Sequence, residues 1–69
     1  MDPRVNSLPG IGPRTREVAA LLVLGMTDKQ IGLRIKMAPG TVKYHVGRIL
    51  AATGSDNRTM AAVALTRSA

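Results

Sequence analysis

The sequence predicts an all-α domain, four short helices packed as a small bundle, and three observations carry that prediction. Apolar residues recur at helical spacing in separate stretches: Val18, Leu21 and Leu22, then Ile31 and Ile35, then Val42, Val46, Ile49 and Leu50. Start and stop signals bracket these stretches, with Pro13, Thr27 and Pro39 at the beginnings and Gly25 and Gly54 at the ends. The chain has 69 residues, enough for one small core but too few for a sheet-and-helix enzyme with a deep pocket.

Residues 1–11 hold Pro, Gly, Asn and Ser and are expected to form a flexible N-terminal tail ahead of a domain spanning 12–67. The first helix is expected from Pro13 to Leu24. Proline suits the first helical position, where a missing N–H costs nothing. Glu17 is placed near the first turn, where the helix dipole favours a negative charge, and is expected to pair with a nearby Arg or Lys. Gly25 is the expected left-handed stop. The second helix is expected over Asp28–Ile35. Thr27 followed three residues later by Gln30 is a capping box, in which each side chain closes a free backbone N–H of the other. Ile31 and Ile35, one turn apart, face inward, and Leu33 is expected to add to the packing. Gly32 weakens a helix, so its presence predicts that another helix crosses closely there.

Lys36, Met37 and Ala38 form a short connection, with Met37 plugging the core. The third helix is expected from Pro39 to about Ala52. Thr41, Lys43, Tyr44, Gly47 and Arg48 fall away from its apolar stripe. Ala38 offers no side-chain acceptor as N-cap, so hydration or a phosphate must satisfy the free N–H groups. The fourth helix is expected over Arg58–Thr66, capped by Asp56 or Asn57. Its expected buried residues are Ala62, Val63 and Leu65, with Met60, Ala61 and Ala64 left partly exposed.

Ten Lys and Arg against 4 Asp and Glu give a formal net charge of +6, which points to a polyanionic partner, nucleic acid ahead of a membrane surface. Tyr44 is the single aromatic residue. Single-strand binders stack bases on several rings, so its isolation favours duplex DNA. With no cysteine and one histidine, His45, disulfides and Cys- or His-based metal clusters are excluded, and no cofactor is expected. No apolar run approaches the roughly 20 residues that span a bilayer. The N-terminus does not read as a signal peptide, so the expected location is cytoplasmic. No catalytic constellation is present, and the chain is not expected to be an enzyme.

Two short helices joined by a tight turn, the second basic and polar opposite an apolar stripe, make a helix-turn-helix. The major groove admits such a helix and shows it a distinct donor and acceptor pattern at each base pair. The stretch G-M-T-D-K-Q-I-G-L-R-I-K-M-A-P-G-T-V-K-Y-H-V-G-R-I-L, residues 25–50, closely resembles the C-terminal helix-turn-helix domain of the LuxR family of bacterial transcription regulators. P-R-T-R-E-V at 13–18 and G-S-D-N-R-T-M-A-A-V at 54–63 resemble the family's opening helix and its closing turn and fourth helix. The resemblance covers roughly residues 11–66.

That resemblance implies a LuxR-type effector domain whose third helix reads the major groove. It implies that Lys43 and Tyr44 touch base edges or nearby backbone, and that Lys29, Thr41 and His45 contact phosphates. Arg48 is a further expected DNA contact. The alternatives are a half-buried structural histidine for His45, ordinary surface charge for Arg48 and Arg34, and an acid partner in place of phosphate for Arg58. Met60, Ala61 and Ala64 on the fourth helix form the expected homodimer face. The sequence departs from the family pattern at Thr15, Ala19, Ala38, Gly47 and Ser55. Gly47 removes a long groove-facing side chain, and the other changes predict a thinner core.

The expected function is sequence-specific binding of duplex DNA in transcriptional regulation, as a dimer on two half-sites. The alternative is a protein-interaction module that docks on RNA polymerase or heterodimerises with a larger regulator. A membrane-surface or nonspecific chromatin-like binder is disfavoured, because the basic residues are interleaved with a folded motif. The chain reads either as the effector part of a longer regulator or as a free-standing one.

Overall fold

The computed structural model describes residues 10–67, so the expected tail at 1–9 lies outside the described residues. Four helices follow one another: α1 (Pro13–Val23), α2 (Asp28–Ile35), α3 (Pro39–Thr53) and α4 (Arg58–Arg67). Each lies within one residue of its expected bounds. Gly10 and Ile11 depart from the tail reading. Ile11 is buried, and the Gly10 carbonyl accepts a hydrogen bond from Arg48, so the folded body begins before residue 12.

The core is aliphatic. Val18, Ala19 and Leu22 of α1, Ile31 of α2, Val42, Val46 and Ile49 of α3, and Ala61 and Leu65 of α4 are all buried together. α1 and α3 each pack on the other three helices and together carry most of the core. Met37 packs against this core from the α2–α3 turn.

The helix ends explain the chain's punctuation. Gln30 N–H donates to Thr27 Oγ1 (3.2 Å) and Thr27 N–H donates to Gln30 Oε1 (2.8 Å), which completes the capping box. Asn57 rather than Asp56 caps α4, its Oδ1 accepting from Met60 N–H at 2.9 Å. After α1 and α3 the chain turns through left-handed glycines, Gly25 (φ 81°) and Gly54 (φ 66°). α2 instead ends on Lys36 in the left-handed region (φ 56°), an uncommon place for a residue with a Cβ. The Ile35 carbonyl at that end accepts from the Arg14 guanidinium of α1 at 3.1 Å. Arg14 also pairs with Glu17 at 2.9 Å. Glu17 is the fifth residue of α1, so it sits beyond the first turn, which carries no acid.

Three packing expectations are corrected. Leu33 adds nothing to the core: it is 75% exposed, because Ile31 and Gly32 present the inward side of the short α2. At Gly32 the close neighbour is no crossing helix but the backbone carbonyl of Met37 in the following turn, with a Val42 methyl of α3 behind it. On α4 the inward pair is Ala61 and Leu65, while Val63 is 45% exposed. Residues 61 and 65 lie one turn apart on one side, and 63 falls on the other. No helix among the described residues is long and apolar enough to cross a membrane.

Candidate nucleic-acid interface

α3 is two-sided. Val42, Val46 and Ile49 are buried against the other helices, while Gly40, Thr41, Lys43, Tyr44, Gly47, Arg48 and Ala51 are exposed. At about 100° per residue, Tyr44, Gly47 and Ala51 point most directly away from the core. Lys43 lies to one side of that line, and Thr41 and Arg48 to the other. Tyr44 is 60% exposed, and its ring meets that of His45 edge-on at a centroid distance of 5.3 Å. Gly47 has open space where a side chain would stand, so the middle of the outward face is flat.

The N-terminus of α3 lacks a side-chain cap. Pro39 has no N–H, and Thr41 N–H donates to the Ala38 carbonyl at 2.9 Å. Gly40 N–H is therefore the early helical donor left for water or an anion, since Ala38 supplies no side-chain cap. Lys29, near the start of α2, is exposed and carries no hydrogen bond or ion pair among the described residues. It keeps its charge available to solvent.

The proposed contacts therefore differ in availability. Lys29, Thr41 and Lys43 are open. Tyr44 is open along its ring, and its hydroxyl is 3.4 Å from Arg48 Nη1. Arg48 is exposed but engaged, its Nη2 donating to the Gly10 carbonyl at 2.6 Å. His45 is half-buried, with Nδ1 2.7 Å from Thr15 Oγ1 on α1. Arg58 is settled in favour of its acid: Nη1 pairs with Asp28 at 2.7 Å, and Nη2 donates to the Met26 carbonyl at 2.9 Å. That bridge ties α4 to the start of α2. Arg34 remains on the surface at the rim of a shallow groove with Glu17, Ala20, Leu21 and Ile35.

The exposed face of α4 also needs one correction. Ala61 cannot belong to it, because that residue is wholly buried under α4. Met60 (48% exposed) and Val63 make up the apolar part of that face, with Ala64 beside them. The sequence R-T-M-A-A-V-A-L-T-R has small apolar residues on every side of the helix, so its pattern does not distinguish Val63 from an inward residue.

Two residues of the site escaped sequence reasoning. Thr15 stands out in the sequence only as a departure from a family pattern, and Gly10 only as part of a tail. Both act through contacts spanning 30 and 38 residues, which no local pattern reports.

The family described as bacterial regulatory proteins, luxR family, matches residues 11–65. The DNA-binding transcriptional activator DevR/DosR of Mycobacterium tuberculosis is 44% identical over 58 residues, covering 84% of this chain and 27% of the relative. The two-component response regulator PprB of Pseudomonas aeruginosa is 36% identical over 59 residues, covering 86% of this chain and 22% of the relative. The chain thus spans about a quarter of the length of these curated relatives. No solved structure matches it significantly. The matched residues run from the buried Ile11 through all four helices to the buried Leu65. The chain belongs to the luxR family of bacterial regulatory proteins, a family of transcription regulators and not of enzymes, and residues 11–65 are its helix-turn-helix DNA-binding domain.

Proposed function

We propose that the chain binds duplex DNA sequence-specifically, with α3 in the major groove, to regulate transcription. One observation carries this reading: a single helix buries one flank in the core while its opposite flank, from Gly40 to Arg48, is open to solvent. A groove-reading helix needs both sides at once. Lys43 is the residue best placed to reach guanine acceptors or a phosphate, and Tyr44 lies beside it on the outward line. Lys29 and Thr41 flank this centre and suit backbone contacts that fix register without reading sequence.

The arrangement on DNA is a dimer on two half-sites about one helical turn apart, joined through the outer face of α4. Met60, Val63 and Ala64 supply that face. It is small, so the free chain should be a weak dimer and the pair should form on the operator.

A fluorescence anisotropy titration against duplexes selected from a random pool tests the reading. Affinity should fall steeply with salt, each phosphate contact adding about 0.9 to the logarithmic slope. Lys43→Ala should cost roughly 1–3 kcal/mol if that lysine reads a base. Equal affinity for selected and random duplexes would leave only nonspecific binding. No DNA affinity, alongside salt-insensitive binding to RNA polymerase or to a full-length regulator, would establish the protein-interaction alternative instead.

A further inference from the structure

Thr15 is 3% exposed and sits on the inward side of α1. Its hydroxyl has one partner among the described residues, His45 Nδ1 at 2.7 Å. It does not bond back to the Ile11 carbonyl one turn earlier, which instead lies 3.5 Å from the Arg16 guanidinium. A threonine hydroxyl has one hydrogen to give. Were Nδ1 protonated, the hydroxyl would have to accept there, and its own hydrogen would be buried without an acceptor. The arrangement that satisfies both groups has Thr15 O–H donating to a bare Nδ1. The imidazole proton then sits on Nε2.

Nε2 is the other half of the observation. It has no hydrogen-bond partner among the described residues, yet it is not among their buried, unpartnered polar atoms. It therefore reaches the surface. His45 falls one turn after Thr41 and one turn before Arg48, on the same flank of α3 but closer to the core, at the edge of the exposed face. An Nε2–H at that place is a donor open to a partner from outside the fold.

We propose that Thr15 is a positioning residue for DNA binding: it fixes His45 as the Nε2–H tautomer and holds its ring so that Nε2–H donates to a backbone phosphate. The inference rests on the DNA-binding reading above. A carboxylate at position 15 would instead accept a hydrogen bond from a protonated Nδ1 and favour the doubly protonated ring, so it would not select one neutral tautomer. The hydroxyl gives a neutral imidazole one outward donor.

The test uses the full chain labelled with ¹⁵N. Long-range ¹H–¹⁵N spectra should show His45 Nδ1 unprotonated and Nε2 protonated, and duplex DNA should shift the Nε2 signal far more than Nδ1. Thr15→Val should weaken DNA binding about three- to tenfold, less than the full loss of a hydrogen bond to a charged group because the His45 ring is still present but no longer held. Thr15→Ser should restore affinity, and Thr15→Val should add no loss in a His45→Ala background. Thermal melts of each variant separate this effect from general loss of folding. A protonated Nδ1, unchanged affinity in Thr15→Val, or additive losses in the double variant would overturn the inference while leaving DNA binding intact. A parent chain that binds no duplex would end both the phosphate role and the reading beneath it, although the nitrogen pattern would stand.

Discussion

Gly32→Ala should destabilise the domain, although the same substitution at Gly47 should stabilise it. A Cβ at Gly32 would drive into the carbonyl oxygen of Met37, closer than real Cβ atoms ever approach. That neighbour is backbone, so no side chain can swing aside. The same two residues are also pinned by Met37 N–H donating to the Gly32 carbonyl at 2.8 Å. Opening the turn to admit a methyl would weaken that bond and move the start of α3. Overpacking costs about 1–3 kcal/mol, and one strained hydrogen bond adds about 1 kcal/mol. Alanine's better helix propensity returns about 1 kcal/mol. The net loss is about 2 kcal/mol, or roughly 8–16 °C in melting temperature for a domain of this size. Gly47 faces open space inside α3, so Gly47→Ala keeps only the propensity term and should gain up to about 1 kcal/mol, or roughly 4–8 °C. Circular dichroism melts at 222 nm of the two variants beside the parent give the comparison. A Gly32→Ala protein that melts as high as Gly47→Ala would refute the close approach and the account of how the turn sets α3.

Ala38→Ser should raise stability by about 1 kcal/mol, because residue 38 already has the extended backbone of an N-cap (φ −63°, ψ 143°) and lacks only the acceptor; a urea titration measures it. Thr27→Ala should cost about 1 kcal/mol by the same assay, since it removes half of the capping box. Arg58→Ala should cost about 1 kcal/mol and lose part of that cost in high salt, because its pair with Asp28 is 38% and 27% exposed and partly screened. Arg48→Ala should change DNA affinity less than Lys43→Ala, because a phosphate would have to compete with the Gly10 carbonyl for its guanidinium; parallel anisotropy titrations decide the order.

What could be read from the sequence depended on how local its cause was. The α2 capping box and the glycine stops after α1 and α3 are set within a few residues, and so their positions are predictable from the chain. The apolar stripe of α3 is equally plain, since Val42, Val46 and Ile49 leave only one side for polar residues. The phase of α4 is not legible, because its small apolar residues surround the helix and no period selects Ala61 over Val63. Leu33 lies outside because an eight-residue helix buries only the side that carries Ile31 and Gly32. The contacts that shape the interface were beyond reach: Thr15 with His45, Arg48 with Gly10, and Arg58 with Asp28 each join residues at least 30 positions apart. A lone threonine at position 15 looks like a lost acid until the fold brings it to the imidazole.

The most direct test of the central claim is a map of backbone amide shifts as a selected duplex is added to the ¹⁵N-labelled chain. The largest changes should fall on Gly40, Thr41, Lys43, Tyr44 and Gly47, with a second group at Lys29. Changes concentrated on the outer face of α4, with the α3 amides undisturbed, would contradict the assignment of α3 as the reading helix.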